Sequence, residues 1–431
     1  MLARLGNKPA RVLIWIALAA VVAPAGATAA QTPPSQSIGW QDEVRAMLGR
    51  RAAAVLAQDE KTYSSTMAAA PAAFKRNRLS WLRRMRVLPI GVYRLDFTGD
   101  EFGEVTRAAD RAHYPGKEIH VIQVKERIGF RGYDVRPQAE DLFLTVEKTA
   151  SGWSVVSDTD AQDLALQSER ELWDFGPVDK LEAGGVMVIF HPALRSAAET
   201  VLSMSVASRA KVKSLWPIPW HDDRIVVMIP TTVEELARII QTTFDLSTFV
   251  AFAASSVDRS IGGWTLTGPR VFLHWPNFRR QNRSLQKIIL QHEFTHRASF
   301  EVSGPFVEAF NDEGIAQYYG EQEYTPSVPD LRLRVRAHRF SEHLPPDYLF
   351  SAGPPDDIYL AYEEAVDFVA YIAGRFGRAA GARLYRAIGA ENHISAGTWR
   401  YHLDHACRTL FHSSFDVLER GWARTVIKEL S

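Results

Sequence analysis

The feature that most restricts this chain is a helix that is apolar along one face and metal-competent at the end of that face. Leu285, Ile288 and Ile289 precede His292 by seven, four and three positions, the recurrence of one helical stripe. The stripe runs directly into His292-Glu293-Phe294-Thr295-His296. Two histidines four apart on a helix carry their imidazoles on one face, with Cβ atoms about 6 Å apart, close enough to share one tetrahedral metal. Glu293 is turned about 100° round the axis from His292. It is poorly placed to share that ligand position, yet it can reach a water on the metal, which is the place of a general base. The competing reading makes His292 and His296 ordinary helix residues that only hydrogen-bond. A chain of this composition contains such a motif by chance in roughly two or three cases per hundred, so the surrounding sequence has to decide.

At 431 residues, 46% hydrophobic and 23% charged, the chain is long for one core and two or three domains are expected. Lys plus Arg equals Asp plus Glu at 50 each. No net field recruits nucleic acid, and no basic run is interleaved with aromatics, so nucleic acid is not an expected partner. Arg4, Lys8 and Arg11 stand ahead of an apolar run over residues 12–22, followed by Pro24 and small residues up to Ala30. That is the layout of a secretory signal peptide, residues 1–30, with cleavage after Ala29 or Ala30. The alternative is an uncleaved anchor, but the apolar run is shorter than the roughly 20 residues a spanning helix needs. No later segment is long and apolar enough to span. The mature chain is therefore expected to be secreted or in the cell envelope or periplasm, without stable membrane insertion. Cys407 is the only cysteine, so no intramolecular disulfide can form.

Residues 31–39, with two prolines, read as a linker. Val44, Met47, Leu48, Val55 and Leu56 then recur at helical spacing, and a second helix is predicted over 74–88. Strands are predicted over 91–98, 118–128, 141–148 and 152–158. In the third of these Leu142, Leu144 and Val146 alternate with Phe143, Thr145 and Glu147, as in a sheet with one covered face. Helices followed by an antiparallel meander are an α+β pattern, and in element order residues 40–170 resemble the cone-shaped nuclear transport factor 2-like domain. Asp96, Asp100 and Glu101 read as a solvated strand end rather than a catalytic cluster. Residues 173–177 are the expected interdomain connection. From residue 184 strand and helix alternate: strands over 186–190, 224–229, 248–254 and 270–275, helices over 193–213 and from the capping box Thr232-Val233-Glu234-Glu235 to 244, and a mostly helical remainder.

Seventeen positions beyond His296, Glu313 sits in Asn311-Asp312-Glu313-Gly314-Ile315-Ala316. Here the chain resembles the Glu-zincin metallopeptidases, in which a second helix supplies the third metal ligand from a Glu-Gly-x-Ala sequence. The resemblance implies Glu313 as that ligand. Two neutral imidazoles and one carboxylate leave zinc with net positive charge and one open position. Phe310 and Asn311 stand where the family has a Trp-Leu pair, a departure that touches packing. Glu308 and Asp312 are rival carboxylates, but both lie on other faces of the same helix. Further on, Tyr362-Glu363-Glu364-Ala365-Val366-Asp367-Phe368 resembles the helix of the membrane alanyl aminopeptidase and leukotriene hydrolase families that begins with a catalytic tyrosine. That implies Tyr362, with Tyr359 as rival, donating to the oxyanion of a tetrahedral intermediate. His402, Asp404, His405, Cys407 and His412 match no zinc spacing and read as a polar helix face.

Taken together the resemblance covers residues 184–431 and is strongest to the compact bacterial peptidase-MA-like group. It implies a zincin-type domain with a small mixed sheet, an active-site helix, a ligand helix and a helical C-terminal lobe. Substrates of such enzymes pair as an added strand along the sheet edge, for which residues 270–275 are the candidate. The implied activity is that of an exported zinc-dependent metallopeptidase acting on a peptide or protein: His292, His296 and Glu313 hold Zn2+, Glu293 is the general base and Tyr362 steadies the oxyanion. No Gly-x-Met-Glu-Asn sequence captures a free amino terminus, and Gly262-Gly263-Trp264 is no substitute, so an aminopeptidase is not indicated. Two alternatives stay open: a catalytically silent zincin-fold binding module, and zinc-dependent hydrolysis of a non-peptide amide.

Overall fold

The computed structural model describes residues 13–15, 39–97, 104–241, 246, 249–258, 265–320, 328–350, 354–391 and 399–431. The leader and linker, apart from 13–15 and Gly39, lie outside these residues, as do Asp100, Glu101 and Gly262-Gly263-Trp264. The architecture is α+β, built on two sheets.

The first sheet is an antiparallel meander of four strands: β2 (Ile90–Asp96), β3 (Ile119–Phe130), β4 (Gln138–Thr149) and β5 (Gly152–Ser157). One face is covered by α1 (Trp40–Ala57), α2 (Glu60–Ser65) and α3 (Ala72–Arg84). Val44, Met47, Leu48 and Val55 turn inward as their spacing requires, whereas Leu56 is exposed. Leu144 and Val146 join this core. The opposite face of β4 is not open to solvent, as alternation alone suggests. Phe143 packs with Ile119, Val121 and Ala161 in a separate small cluster, and the Ser168 hydroxyl accepts from the Phe143 N–H at 2.9 Å. The segment after β5, together with α4 (Ala108–His113), folds back near that face, so β4 is buried on both sides. Asp96 is likewise not merely solvated, since it accepts from Arg127 at 2.9 Å.

The expected connection at 173–177 is packed rather than free. Trp173 lies in α5 (Leu172–Phe175), is fully buried, and meets Phe130 edge-on at 6.1 Å. The second sheet then begins ahead of Gly184. Strands β6 (Asp179–Ala183) and β7 (Val186–Phe190) form a hairpin around Gly184-Gly185. Both glycines have positive φ, 53° and 82°, which a two-residue hairpin turn demands and other residues resist. The six-stranded order is β1-β9-β10-β8-β7-β6, with β1 (Leu13–Trp15), β8 (Ile225–Ile229), β9 (Phe249–Asp258) and β10 (Thr265–Leu273). Strands β7, β8 and β10 run parallel, while β6 and β9 pair antiparallel to them, so the sheet is mixed. The parallel strands β7 and β8 are buried at every position, as their unbroken apolar sequences require.

One expectation is overturned here. Strand β10 is interior, between β9 and β8, and Trp275 already belongs to a short helix, α8 (Trp275–Phe278). Because 249–258 folds back antiparallel on 265–273, β9 lies outside β10, and among the described residues its far side pairs only with the three-residue β1, the outermost strand. The sheet packs against α6 (Arg195–Leu215) and α9 (Arg283–Ser299), with α7 (Val233–Ile240) entered through Thr232, whose hydroxyl accepts from Glu235 N–H at 3.1 Å. The helical remainder comprises α10 (Ala309–Gly320), α11 (Pro329–Arg336), α12 (Pro355–Phe376), α13 (Ala380–Gly389), α14 (Trp399–Phe411) and α15 (Phe415–Leu430). Among the described residues no helix is long and apolar enough to cross a membrane.

Candidate metal centre

Helix α9 starts at Asn282, whose side chain accepts from Leu285 N–H at 2.9 Å and so satisfies one of the free donors of the first turn. Its first turns are half exposed: Ile289 and Leu290 are fully buried, whereas Leu285 and Ile288 are only partly so. From His292 to Ser299 every residue is buried, because the helix passes between the sheet and α10. The histidines therefore sit inside the core, deeper than the edge position their stripe suggests.

Helix α10 crosses both α9 and α12 at glycines. A Cβ on Gly320 would lie 2.9 Å from His292 Cα, and one on Gly314 would lie 2.6 Å from the Ala365 carbonyl oxygen. No side chain fits at either crossing, and this close approach brings Glu313 to the histidine pair. His292 Nε2 and His296 Nε2 are 2.9 Å apart, and Glu313 Oε2 is 3.1 Å from the first and 3.5 Å from the second. Among the described residues this is the one group of three or more His, Cys, Asp or Glu side chains whose ligand atoms converge in this way. Zinc bonds of about 2.1 Å in a tetrahedron give ligand-to-ligand edges of about 3.4 Å; the Glu313–His296 spacing matches this edge, and the two spacings to His292 are shorter and would open slightly around the ion. Imidazole nitrogens and a carboxylate are also its usual donors.

Burial disfavours a charged imidazolium at His296, but Asp312 and Glu313 outweigh it and push the group up to about 10. Burial also opposes ionisation of Glu313, yet His296 and His292 pull it down to about 2, so it is a carboxylate throughout the ordinary pH range. Glu293 behaves oppositely. Burial raises it to about 8, only partly offset by His292 and His296 and reinforced by Glu313. The Ala253 amide of β9 faces the Glu293 carboxylate, but neither oxygen has a hydrogen-bond partner of normal geometry. A fully buried carboxyl group in that condition is poised to exchange a proton with whatever enters beside it.

Tyr362 is buried at 5% exposure, its ring against Phe350 at 5.3 Å and its hydroxyl hydrogen-bonded to Glu313. It does not begin its helix, because α12 starts two turns earlier at Pro355. Asp312 differs from its reading as a residue turned away. Adjacent carboxylates on α10 straddle one ring, Glu313 on the Nε2 side of His296 and Asp312 3.5 Å from Nδ1. Tyr385 was not legible at all as a site residue; its hydroxyl meets Asp312 Oδ1 at 2.9 Å from α13, with nothing in its local sequence to mark it. Glu308 is buried beneath the start of α10, and burial, then Asp347, push it up to about 9.

The C-terminal cluster is not a polar face throughout. Cys407 is fully buried, which pushes its thiol up to about 12, and His402 stacks on Phe306 at 4.0 Å. Asp404 accepts from Phe415 N–H at 2.8 Å, tying α14 to α15. These residues serve packing and helix ends. No protein-family model matches the chain, and no curated protein matches it.

Proposed function

We propose that this chain is an exported zinc-dependent metallopeptidase of the zincin type. The observation that carries the reading is the convergence of His292 Nε2, His296 Nε2 and Glu313 Oε2 within 3.5 Å of one another, beside a buried Glu293 whose oxygens lack partners. Ligand and base are supplied by one helix, and the third ligand by the next. His292, His296 and Glu313 would hold the zinc, which when bound would supply a Lewis acid able to polarise a carbonyl and acidify water.

The chain's own groups account for the rest. Glu293 is neutral until about pH 8 when only the protein's charges act on it; a cation on the neighbouring ligands favours its carboxylate form, the one able to accept a proton. It takes a proton from water and returns it to the leaving nitrogen. Tyr362, held protonated by burial and by its carboxylate neighbours, donates a hydrogen bond where oxyanion charge develops. Strand β9 lies along α9 with Ala253 facing Glu293, and removal of the leader that carries β1 would leave β9 as the sheet edge on which an extended peptide can pair.

The test uses the full-length chain. Metal analysis should find about one zinc per chain, and a diverse peptide library should yield cleavage products. Glu293→Gln should keep the zinc and lose cleavage by about 10²–10⁴-fold. A zinc-loaded wild type that cleaves nothing would instead support a binding module, and a chain that binds no zinc would end both readings.

A further inference from the structure

We infer that Tyr385, acting through Asp312, is a positioning residue that sets the orientation of His296 as a metal ligand; this rests on the zinc reading above. An imidazole has nitrogens on two edges, and when one faces a metal the partner of the other determines the tautomer and the plane of the ring. For His296 the first edge is the shared position with His292 and Glu313. The second edge, Nδ1, faces the Asp312 carboxylate at 3.5 Å, an ion-pair distance longer than a formed hydrogen bond, and has no closer hydrogen-bond partner. Asp312 thus lies across the ring from the ligand position and is not itself placed to ligate.

A buried carboxylate at that distance can turn away unless something holds it. The Tyr385 hydroxyl lies 2.9 Å from Asp312 Oδ1 and 2.9 Å from Ser303 Oγ. It has one proton, which it donates to Asp312 Oδ1, and Ser303 completes the hydroxyl's surroundings. Burial first, and Asp312 next, hold that phenol well above its ordinary pKa and hence protonated. Tyr385 is itself fixed relative to α9. A Cβ on Gly389, at the end of α13, would lie 2.0 Å from the Val302 carbonyl oxygen, and one on Gly304 would lie 2.3 Å from the Gly389 carbonyl oxygen. Backbone therefore rests on backbone between α13 and the turn that follows α9. The C-terminal lobe holds one metal ligand by this chain of contacts, from Ser303 through Tyr385 and Asp312 to His296.

The experiment measures the zinc dissociation constant of the full-length chain by chelator competition, and the visible absorption of the cobalt-loaded form. Tyr385→Phe removes the hydroxyl and keeps the ring. It should weaken zinc binding about 10-fold, and Asp312→Ala about 10- to 100-fold, the usual range for a partner of a metal-bound histidine. The cobalt spectrum should shift in both. Asp312→Asn keeps an acceptor oxygen and should recover most of the affinity. Should Asp312→Ala fail to fold, Tyr385→Phe and Asp312→Asn decide the matter. A Tyr385→Phe chain with a lower thermal midpoint but unchanged zinc affinity and cobalt spectrum would make the hydroxyl merely structural and overturn the inference alone. A wild type that binds no zinc would overturn it together with the metallopeptidase reading.

Discussion

Two regions of this molecule bury many ionisable groups, and they solve the problem differently. Between the antiparallel meander and the mixed sheet, Arg270 is 2% exposed and forms a two-pronged pair with Asp134 at 2.6 and 2.8 Å, its guanidinium 4.7 Å from the centre of the Phe130 ring. Arg127 joins Asp258 and Asp96 in the same boundary. The glutamates left over, Glu140 and Glu171, are driven well above the ordinary carboxylate range by burial, with neighbouring carboxylates adding to the shift and Arg270 opposing it. In the candidate metal centre the arrangement is reversed. There the donor atoms of His292, His296 and Glu313 do not face opposite charges one to one but converge on a single point. Burial is common to both regions, so burial does not identify a ligand site. The zinc proposal rests instead on the convergence of the three donor atoms.

Substitutions in the two regions should have separable effects on stability and on zinc affinity. The largest effect is expected from Arg270→Met, which leaves Asp134 buried without its cation; denaturant unfolding should show a loss of about 3–5 kcal/mol. Zinc affinity should be unchanged, and a loss under about 1 kcal/mol would mean that this pair is not the closed ion pair described. Next, Glu313→Ala should weaken zinc binding by at least about 100-fold, or about 2.7 kcal/mol, read by chelator competition. Unaltered affinity would remove Glu313 from the ligand set. A smaller effect follows from Gly268→Ala, where a Cβ would meet Gln138 Cβ at 2.2 Å and the Gln138 backbone nitrogen at 2.7 Å, on a backbone with φ of +51°. The two sheets must separate locally to accept it, at a cost of about 1–3 kcal/mol in unfolding free energy, read from denaturant titration.

The smallest and broadest effect is on pH. Glu169 in the first region and Glu293 in the second are both raised to about 8, by burial first in each case. A carboxyl group raised in the folded state favours folding fully below its unfolded pKa near 4.5, and that contribution is lost as pH rises through 8. His296, raised to about 10, loses its contribution in the same direction between about 6.5 and 10. The metal-free chain should therefore lose at least about 1 kcal/mol between pH 5 and pH 9 in urea titrations with chelator present. Constant or rising stability over that window would show that these carboxyls are not neutral in the fold.

Much of the fold was legible where the pattern is local. The meander strands fall within a few residues of their expected bounds, and the turn 150–152 sits where its residue types put it. Strand β6 was missed because Asp179–Ala183 is half polar and becomes a strand only by pairing with β7. The metal-binding candidates were legible because their spacing follows one helix repeat, and Glu313 because it stands beside a glycine that the crossing of α10 over α12 needs. Asp312 was set aside on helix geometry alone. That geometry shows correctly that it cannot share the Nε2 side of His296, but says nothing of the other edge of the ring.

What the sequence determined by itself is therefore what depends on period and residue type: the amphipathic entry to α9, the pairing of His292 with His296 on one face, and the α+β order of elements. Only the tertiary structure decided which strand stands at the sheet edge, that β4 is covered on both faces, and that Tyr385 reaches Asp312 from a helix 73 positions away. The reason is one of range. Helical and strand periods are set by neighbours along the backbone, whereas edge position, second-face burial and the partner of a ring nitrogen are set by packing between segments whose separation in sequence carries no signal.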